Sequence, residues 1–361
     1  MSDIDISEPL SDLLAPLNNE QREFLMNNYT IQTYKKNETI YCEGETPSHL
    51  MCLITGKVKI FKDGVGGRSQ IIRMIKQREY FEKSAAVRDK KFSFPDGVVE
   101  SRDIPYIADG QKEHLMDVYR PQGKENETLP VIINIHGGGL LIGNKEFNRY
   151  FCARLCLLGY VVFSVEYRLV PDCSVYDQFS DVSTAMTFIR DNLSSYEGNP
   201  DKIYGVADSG GAYLLTNVAA MTKNKKFAKA AHTKAPDFSL NALGLISGMF
   251  YTTRFDKIGL FLPSYFYGKG YKKKAIAPYV NIENPEIVSA LPPCFLVTSH
   301  SDNLEHYTVK FEKALKANRV SHKLLRFGKN KKLTHAFSVF EPFYEESTKT
   351  LKSMHEYFQS F

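Results

Sequence analysis

From about residue 97 onward the sequence predicts an α/β domain, a mostly parallel sheet with helices on both faces, preceded by a small β-rich fragment. Three observations carry this expectation. In the long C-terminal part, short β-branched runs alternate with amphipathic helical stretches, the pattern left by parallel strands joined through crossover helices. The 361 residues exceed the roughly 250–300 at which a single core stops growing, so one large domain and a smaller one are expected. The opening segment carries only short strand-like runs broken by glycine turns, and the boundary is placed between 1–84 and 85–361.

The totals narrow the class. With 43% hydrophobic and 24% charged residues the chain is an ordinary globular protein. Its net charge of +5 lies in interrupted lysine clusters at 223–234, 269–274 and 329–332 that match no nucleic-acid motif. These read as solvated faces, and no nucleic-acid partner is expected. No apolar run approaches the roughly 18 residues of a membrane span, and the start Met1-Ser2-Asp3-Ile4-Asp5 lacks the basic and apolar regions of a signal peptide. A cytoplasmic location is the expectation. The 6 cysteines are too sparse for a disulfide framework. Cys152 and Cys156, one helical turn apart in an apolar stretch, suit core packing better than a metal site.

In the first segment the candidate strands are 30–34, 39–42, 50–55, 57–62 and 70–75, after an apolar-periodic opening at Leu10, Leu13, Leu14 and Leu17. Turns fall at Gly44, at Gly56 and from Asp63-Gly64 to Gly66-Gly67. The stretches Tyr34-Lys35-Lys36-Asn37-Glu38-Thr39-Ile40, Ile54-Thr55-Gly56-Lys57-Val58-Lys59-Ile60 and Arg68-Ser69-Gln70-Ile71-Ile72-Arg73-Met74 resemble the start of the cyclic-nucleotide-binding β-roll of catabolite-activator-type regulators, over about residues 10–82. In that family the roll continues with a Gly-Glu phosphate cassette, more strands and a long helix. Here Glu79-Tyr80-Phe81 runs into Glu82-Lys83-Ser84 and the next domain begins. Cyclic-nucleotide binding is therefore not expected. Half a roll leaves sheet edges uncovered, so it would pack on the larger domain, pair with a second chain in a homodimer, or be poorly ordered.

In the large domain, 131–135 and 160–165 are β-branched runs suited to central strands, and 203–206, 294–298 and 323–327 are further strand candidates. Phe179, Val182, Ala185, Met186 and Ile189 share one helical face, as do Tyr307, Phe311, Ala314 and Leu315.

Chemistry concentrates between these elements. In Gly205-Val206-Ala207-Asp208-Ser209-Gly210-Gly211-Ala212, one serine stands between a strand and a helix start, crowded by small residues. Such a turn pushes the Ser209 hydroxyl clear of the sheet, in the manner of a nucleophile elbow, although Ala207 stands where a glycine is usual. By itself the run also reads as an Asp-Ser-Gly-Gly turn capping a helix. Upstream, a β run ends in His136-Gly137-Gly138-Gly139. Consecutive glycines are costly in backbone entropy, and their use is close backbone approach to a substrate. The amides of Gly138 and Gly139, with that of Gly210, would stabilise a developing oxyanion, with His136 orienting them; a plain glycine turn or an anion nest is the alternative. A proline-led strand, Leu291-Pro292-Pro293-Cys294-Phe295-Leu296-Val297-Thr298, trails into a loop bearing Asp302. Asp302 is the acid expected to orient a histidine, Glu305 is the nearest rival, and a helix N-cap is the plainer role. Among His306, His322, His335 and His355, only His335 falls in a loop after a late strand, where it can reach back over the sheet.

The glycine run and the order Ser209, Asp302, His335, with Val165-Glu166-Tyr167-Arg168-Leu169-Val170-Pro171 beside them, resemble the hormone-sensitive-lipase-like branch of the α/β-hydrolase fold over about residues 97–361. Departures are Ala207 for glycine, Asn303 for proline, Ala336 for glycine, and the want of room before residue 97 for that family's cap helices. The resemblance implies a serine carboxylesterase acting on a small-molecule ester, without metal or organic cofactor. The aromatic-rich stretch 249–279 falls where the fold inserts a cap; it reads as a lid favouring short acyl chains, or as ordinary helix packing. The rival functions are a degenerate hydrolase acting as an interaction scaffold, and a peptidase or amidase using the same residues.

Overall fold

The computed structural model describes residues 19, 23, 30–36, 38–40, 51–53, 56–64, 68–75, 80–81, 92–254, 258 and 263–361. The chain separates into two units, Met1–Ser93 and Phe94–Phe361. In the first, β1 (Met51–Cys52) pairs antiparallel with β4 (Tyr80–Phe81), and β2 (Val58–Gly64) with β3 (Arg68–Ile75). The expected strand at 30–34 is not formed. A strand needs a ladder partner, and among the described residues none pairs there. The segment instead ends in a local turn, in which the Glu38 amide donates to the Lys35 carbonyl and the Lys35 amide to the Glu38 carboxylate. Residues 39 and 40 are not in a strand either; 41–50, Gly66 and Gly67, and the leucines of the opening lie outside the described residues.

The second unit is built on eight strands: β5 (Val98–Pro105), β6 (Leu115–Pro121), β7 (Leu129–Ile135), β8 (Val161–Val165), β9 (Gly198–Asp208), β10 (Leu243–Ile246), β11 (Cys294–Ser299) and β12 (His322–Phe327). Their order across the sheet is β12-β11-β10-β9-β7-β8-β6-β5. From β8 to β12 every pairing is parallel; β5 and β6 run antiparallel at the far edge. Side chains alternate across the sheet with the two-residue period of a strand. Ile133, Ile135, Phe163 and Val165 enter one core, while Ile132, Val162, Tyr204 and Val206 enter another on the opposite face.

Helices cover both faces, as a parallel sheet buried on both sides requires. α1 (Arg149–Cys156) supplies Phe151 and Leu155 to one core. Cys152 and Cys156 are buried there, and burial pushes both thiols up, Cys156 to about 12. α2 (Val175–Asp191), α3 (Ser209–Lys223), α4 (Pro263–Tyr267) and α5 (Glu305–Ala317) cover the other face. α6 (Phe337–Phe340) and α7 (Glu345–Phe358) follow β12, and Leu351, Met354 and Phe358 of α7 return to the α1 side. α2 opens on a reciprocal cap between Ser174 and Asp177, which satisfies two of the donors a helix start leaves free. Among the described residues no helix is long and apolar enough to cross a membrane.

Candidate active site

Parallel strands deliver their loops to one edge of the sheet, and four loops at the carboxyl ends of β7, β9, β11 and β12 carry the residues singled out above. β9 ends at Asp208, and Ser209 begins α3 with φ of +46°. That left-handed conformation is rare for a residue with a side chain, and it makes the chain reverse sharply from strand into helix. Ala207 sits buried in β9, so a methyl group is accommodated where a glycine is usual.

The loops after β11 and β12 meet at Ser209. His335 Nε2 lies 2.8 Å from Ser209 Oγ, and His335 Nδ1 lies 2.7 Å from Asp302 Oδ1. Asp302 also accepts from the Thr298 hydroxyl at 2.9 Å and from the Leu304 amide at 2.9 Å. Burial pushes its carboxyl up, but the hydrogen bond and charge of His335, with the Leu304 amide, outweigh this and hold it below the usual carboxylate range. Glu305 is turned away: its Oε1 lies 2.8 Å from Arg326 Nε and 2.9 Å from His300 Nδ1. The other late histidines are engaged elsewhere, His306 against the Tyr307 ring, His322 with Val320 and Glu312, and His355 with the Tyr160 hydroxyl.

The glycine loop faces the same serine. A Cβ on Gly137 would stand 2.2 Å from Asp208 Oδ2 and 3.1 Å from Ser209 Cβ, and one on Gly210 would stand 2.9 Å from the amide nitrogens of Gly139 and Leu140. Loop and helix start therefore touch backbone to backbone. Gly138 and Gly139 have φ of +120° and +63°. Among the described residues their amides donate no hydrogen bond. The Gly137 amide is anchored instead, 3.0 Å from Asp208 Oδ1, which also accepts from Asn148 Nδ2 at 2.9 Å. Asp208 is fully buried, its Oδ2 unpartnered among the described residues, and burial pushes its carboxyl up.

His136 is buried behind the loop, its ring stacked on Tyr167 at 4.3 Å. Nδ1 lies 2.7 Å from the Gly137 carbonyl and Nε2 3.0 Å from Glu166 Oε1, so both ring nitrogens are engaged away from Ser209. The Tyr167 hydroxyl donates to the His136 carbonyl at 2.8 Å. Glu166, Asn148 and Thr298 were not among the expected site residues. The signal for Thr298 was present, a hydroxyl four residues before Asp302 at the end of an apolar strand. Asn148 lies in a short helical turn and has no such signal.

In the aromatic-rich stretch, Phe250, Tyr251, Phe266, Tyr267 and Tyr271 are buried and Tyr265 is exposed; Phe255 and Phe261 lie outside the described residues. Phe250 stacks on Phe311 at 4.2 Å, and the Tyr267 hydroxyl meets those of Tyr213 and Thr252 at 2.5 and 2.6 Å. These side chains join the stretch to α3 and α5.

Comparison with known proteins bears on the fold and the sequence relatives. Residues 116–258 match the family described as BD-FAE, and residues 31–95 match the cyclic nucleotide-binding domain. Esterase LipQ of Mycobacterium tuberculosis is 33% identical over 127 residues, covering 35% of this chain and 30% of that protein. The probable isoprenylcysteine alpha-carbonyl methylesterase ICMEL1 of Oryza sativa is 28% identical over 202 residues, covering 53% of this chain and 47% of that one. The chain thus spans less than half the length of these relatives. Among solved structures, esterase B of Lactobacillus rhamnosis superposes with a TM-score of 0.72 at 22% identity, over 77% of this chain and 91% of that chain. A hyperthermophilic esterase of Pyrobaculum calidifontis gives 0.58 at 23%, over 77% and 90%. The second unit has the α/β-hydrolase fold, and its sequence relatives are carboxylic ester hydrolases.

Proposed function

We propose that this α/β-hydrolase domain is a serine carboxylesterase in which Ser209 is the nucleophile, His335 the general base and Asp302 the acid that orients it. The reading is carried by the continuous hydrogen-bonded chain from Ser209 Oγ through His335 to Asp302, placed beside the glycine loop. Ser209 Oγ would attack the ester carbonyl as His335 Nε2 takes its proton, while Asp302 fixes the tautomer and stabilises the imidazolium. The carbonyl oxygen, now negative, would be held by the amides of Gly138, Gly139 and Gly210, aided by the N-terminus of α3. His335 then protonates the leaving alcohol, and water resolves the acyl-enzyme by the same route. His136, Gly137 and Asp208 hold the loop against the nucleophile.

The names of the sequence relatives, esterase and methylesterase, favour an ester over an amide. Bulky buried rings in the stretch after Met249 favour a short acyl chain, since Met249 donates its amide to the Ser209 carbonyl at 2.9 Å and brings that stretch to the nucleophile. On the same reading the N-terminal segment is not a nucleotide sensor, because the phosphate cassette of the roll has no counterpart before residue 85. It would serve instead as a homodimer contact. Hydrolysis of p-nitrophenyl acetate, butyrate and decanoate by the intact chain and by Ser209→Ala tests the proposal. Turnover that favours the short esters and vanishes with the serine is expected; absence of serine-dependent turnover on all three would sink it.

A further inference from the structure

We infer that Ser247 is a positioning residue of this site, its hydroxyl holding the histidine loop so that His335 stays aligned on Ser209. The inference rests on the reading of Ser209, His335 and Asp302 given above. Ser247 follows β10, which lies between the nucleophile strand β9 and the acid strand β11. It is buried and has φ of +50°, a conformation in which glycine or asparagine is usual and serine is strained. A residue kept there against its backbone preference needs a reason in its side chain.

The hydrogen bonds supply one. Ser247 Oγ accepts from the amide of Ala336, the residue after His335, at 3.0 Å. Ala336 itself has φ of +51°, so the amide is aimed by a turn as unusual as the one that receives it. That oxygen therefore fixes the backbone of the loop that carries the base to the end of β10. Its own amide is pinned to the Val297 carbonyl at 2.8 Å. Two residues on, Met249 donates its amide to the Ser209 carbonyl at 2.9 Å. The three residues 247–249 therefore touch the acid strand, the segment of the base and the nucleophile. Gly248 permits this close path, because a Cβ there would lie 2.3 Å from the Phe250 ring.

The test compares Ser247→Ala and Ser247→Gly with the intact chain and Ser209→Ala, measuring kcat and KM for p-nitrophenyl butyrate across pH, with thermal unfolding alongside. Both variants should lose roughly ten- to a hundredfold in kcat with KM within about twofold, the scale on which a small misalignment acts. The glycine variant, whose backbone is at ease at this φ, should be no better than alanine. Wild-type kcat in either variant, a KM change as large as the kcat change, or recovery in the glycine variant would overturn the inference. If Ser247→Ala does not fold, Ser247→Gly carries the comparison. Absence of Ser209-dependent turnover in the intact chain would overturn the esterase reading itself, whereas Ser209-dependent turnover with unaffected Ser247 variants would overturn this inference alone.

Discussion

The two halves of the site are held by different means. The half formed by β7 and β9 is a backbone contact: the glycine loop lies so close to α3 that a Cβ on Gly210 would stand 2.9 Å from the Gly139 amide nitrogen. The half formed by β11 and β12 is a chain of side-chain hydrogen bonds, from Thr298 and Leu304 to Asp302 and on to His335. Sterics fail abruptly and take the fold with them; hydrogen bonds fail by degrees and leave it standing. Under the proposed mechanism, the first half therefore sets whether a site exists, and the second sets how well its proton moves.

Substitutions that separate loss of activity from loss of fold sharpen this contrast. The largest effect is expected from Asp302→Asn, which keeps the shape but lets His335 Nδ1 face an amide; a fall of about 10⁴ in kcat with a folded protein is the outcome to look for, by kinetics and circular dichroism. Gly137→Ala comes next. Its Cβ must displace Asp208 Oδ2, so kcat should drop about 10²–10³ and the melting temperature should drop with it. An alanine variant of normal stability would break the comparison. Thr298→Val removes one of the bonds to Asp302 and should lower kcat about tenfold, with the acid limb moved to higher pH, because that bond favours the charged carboxylate.

The smallest effect is on stability. Asp208 is raised by burial, so its folded form takes up a proton more readily than its unfolded form; its charge opposes folding at neutral pH, and that opposition fades as pH falls into its folded range. Asp208→Asn retains an oxygen for the Gly137 and Asn148 donors and should raise stability, more at pH 8 than at pH 5 by thermal unfolding. Asp302 has the opposite sign: held low, it contributes stability above the ordinary carboxylate range and loses it as pH falls through its folded value.

Much of this was legible in the residues. Runs such as 131–135 and 294–298 are buried on both sides, so their apolar content announces a central strand, and the helical face of Phe179 to Ile189 falls within α2. β5 and β6 were not expected. β5 is an edge strand with exposed Val99, and β6 carries Asp117, a buried acid made acceptable by Lys145 at 3.0 Å, so neither shows a clean apolar pattern. β10 has four residues, too few for a periodic signal. The residues 30–34 misled because β-branched composition states a preference, whereas a strand also requires a neighbour. Within the site, Ser209, Asp302 and His335 stood in recognisable runs. Ser247 and Asn148 did not, since their importance lies in which distant loop each one meets.

The central claim is that Ser209 is a nucleophile activated by His335. The most direct measurement is covalent labelling with a fluorophosphonate probe, the modified residue located by peptide mass spectrometry in the intact chain, Ser209→Ala and His335→Ala. A single adduct on Ser209, absent from the alanine variant and slowed at least about a hundredfold without His335, is the predicted result. A label on another residue, or labelling of Ser209 that does not depend on His335, would contradict it.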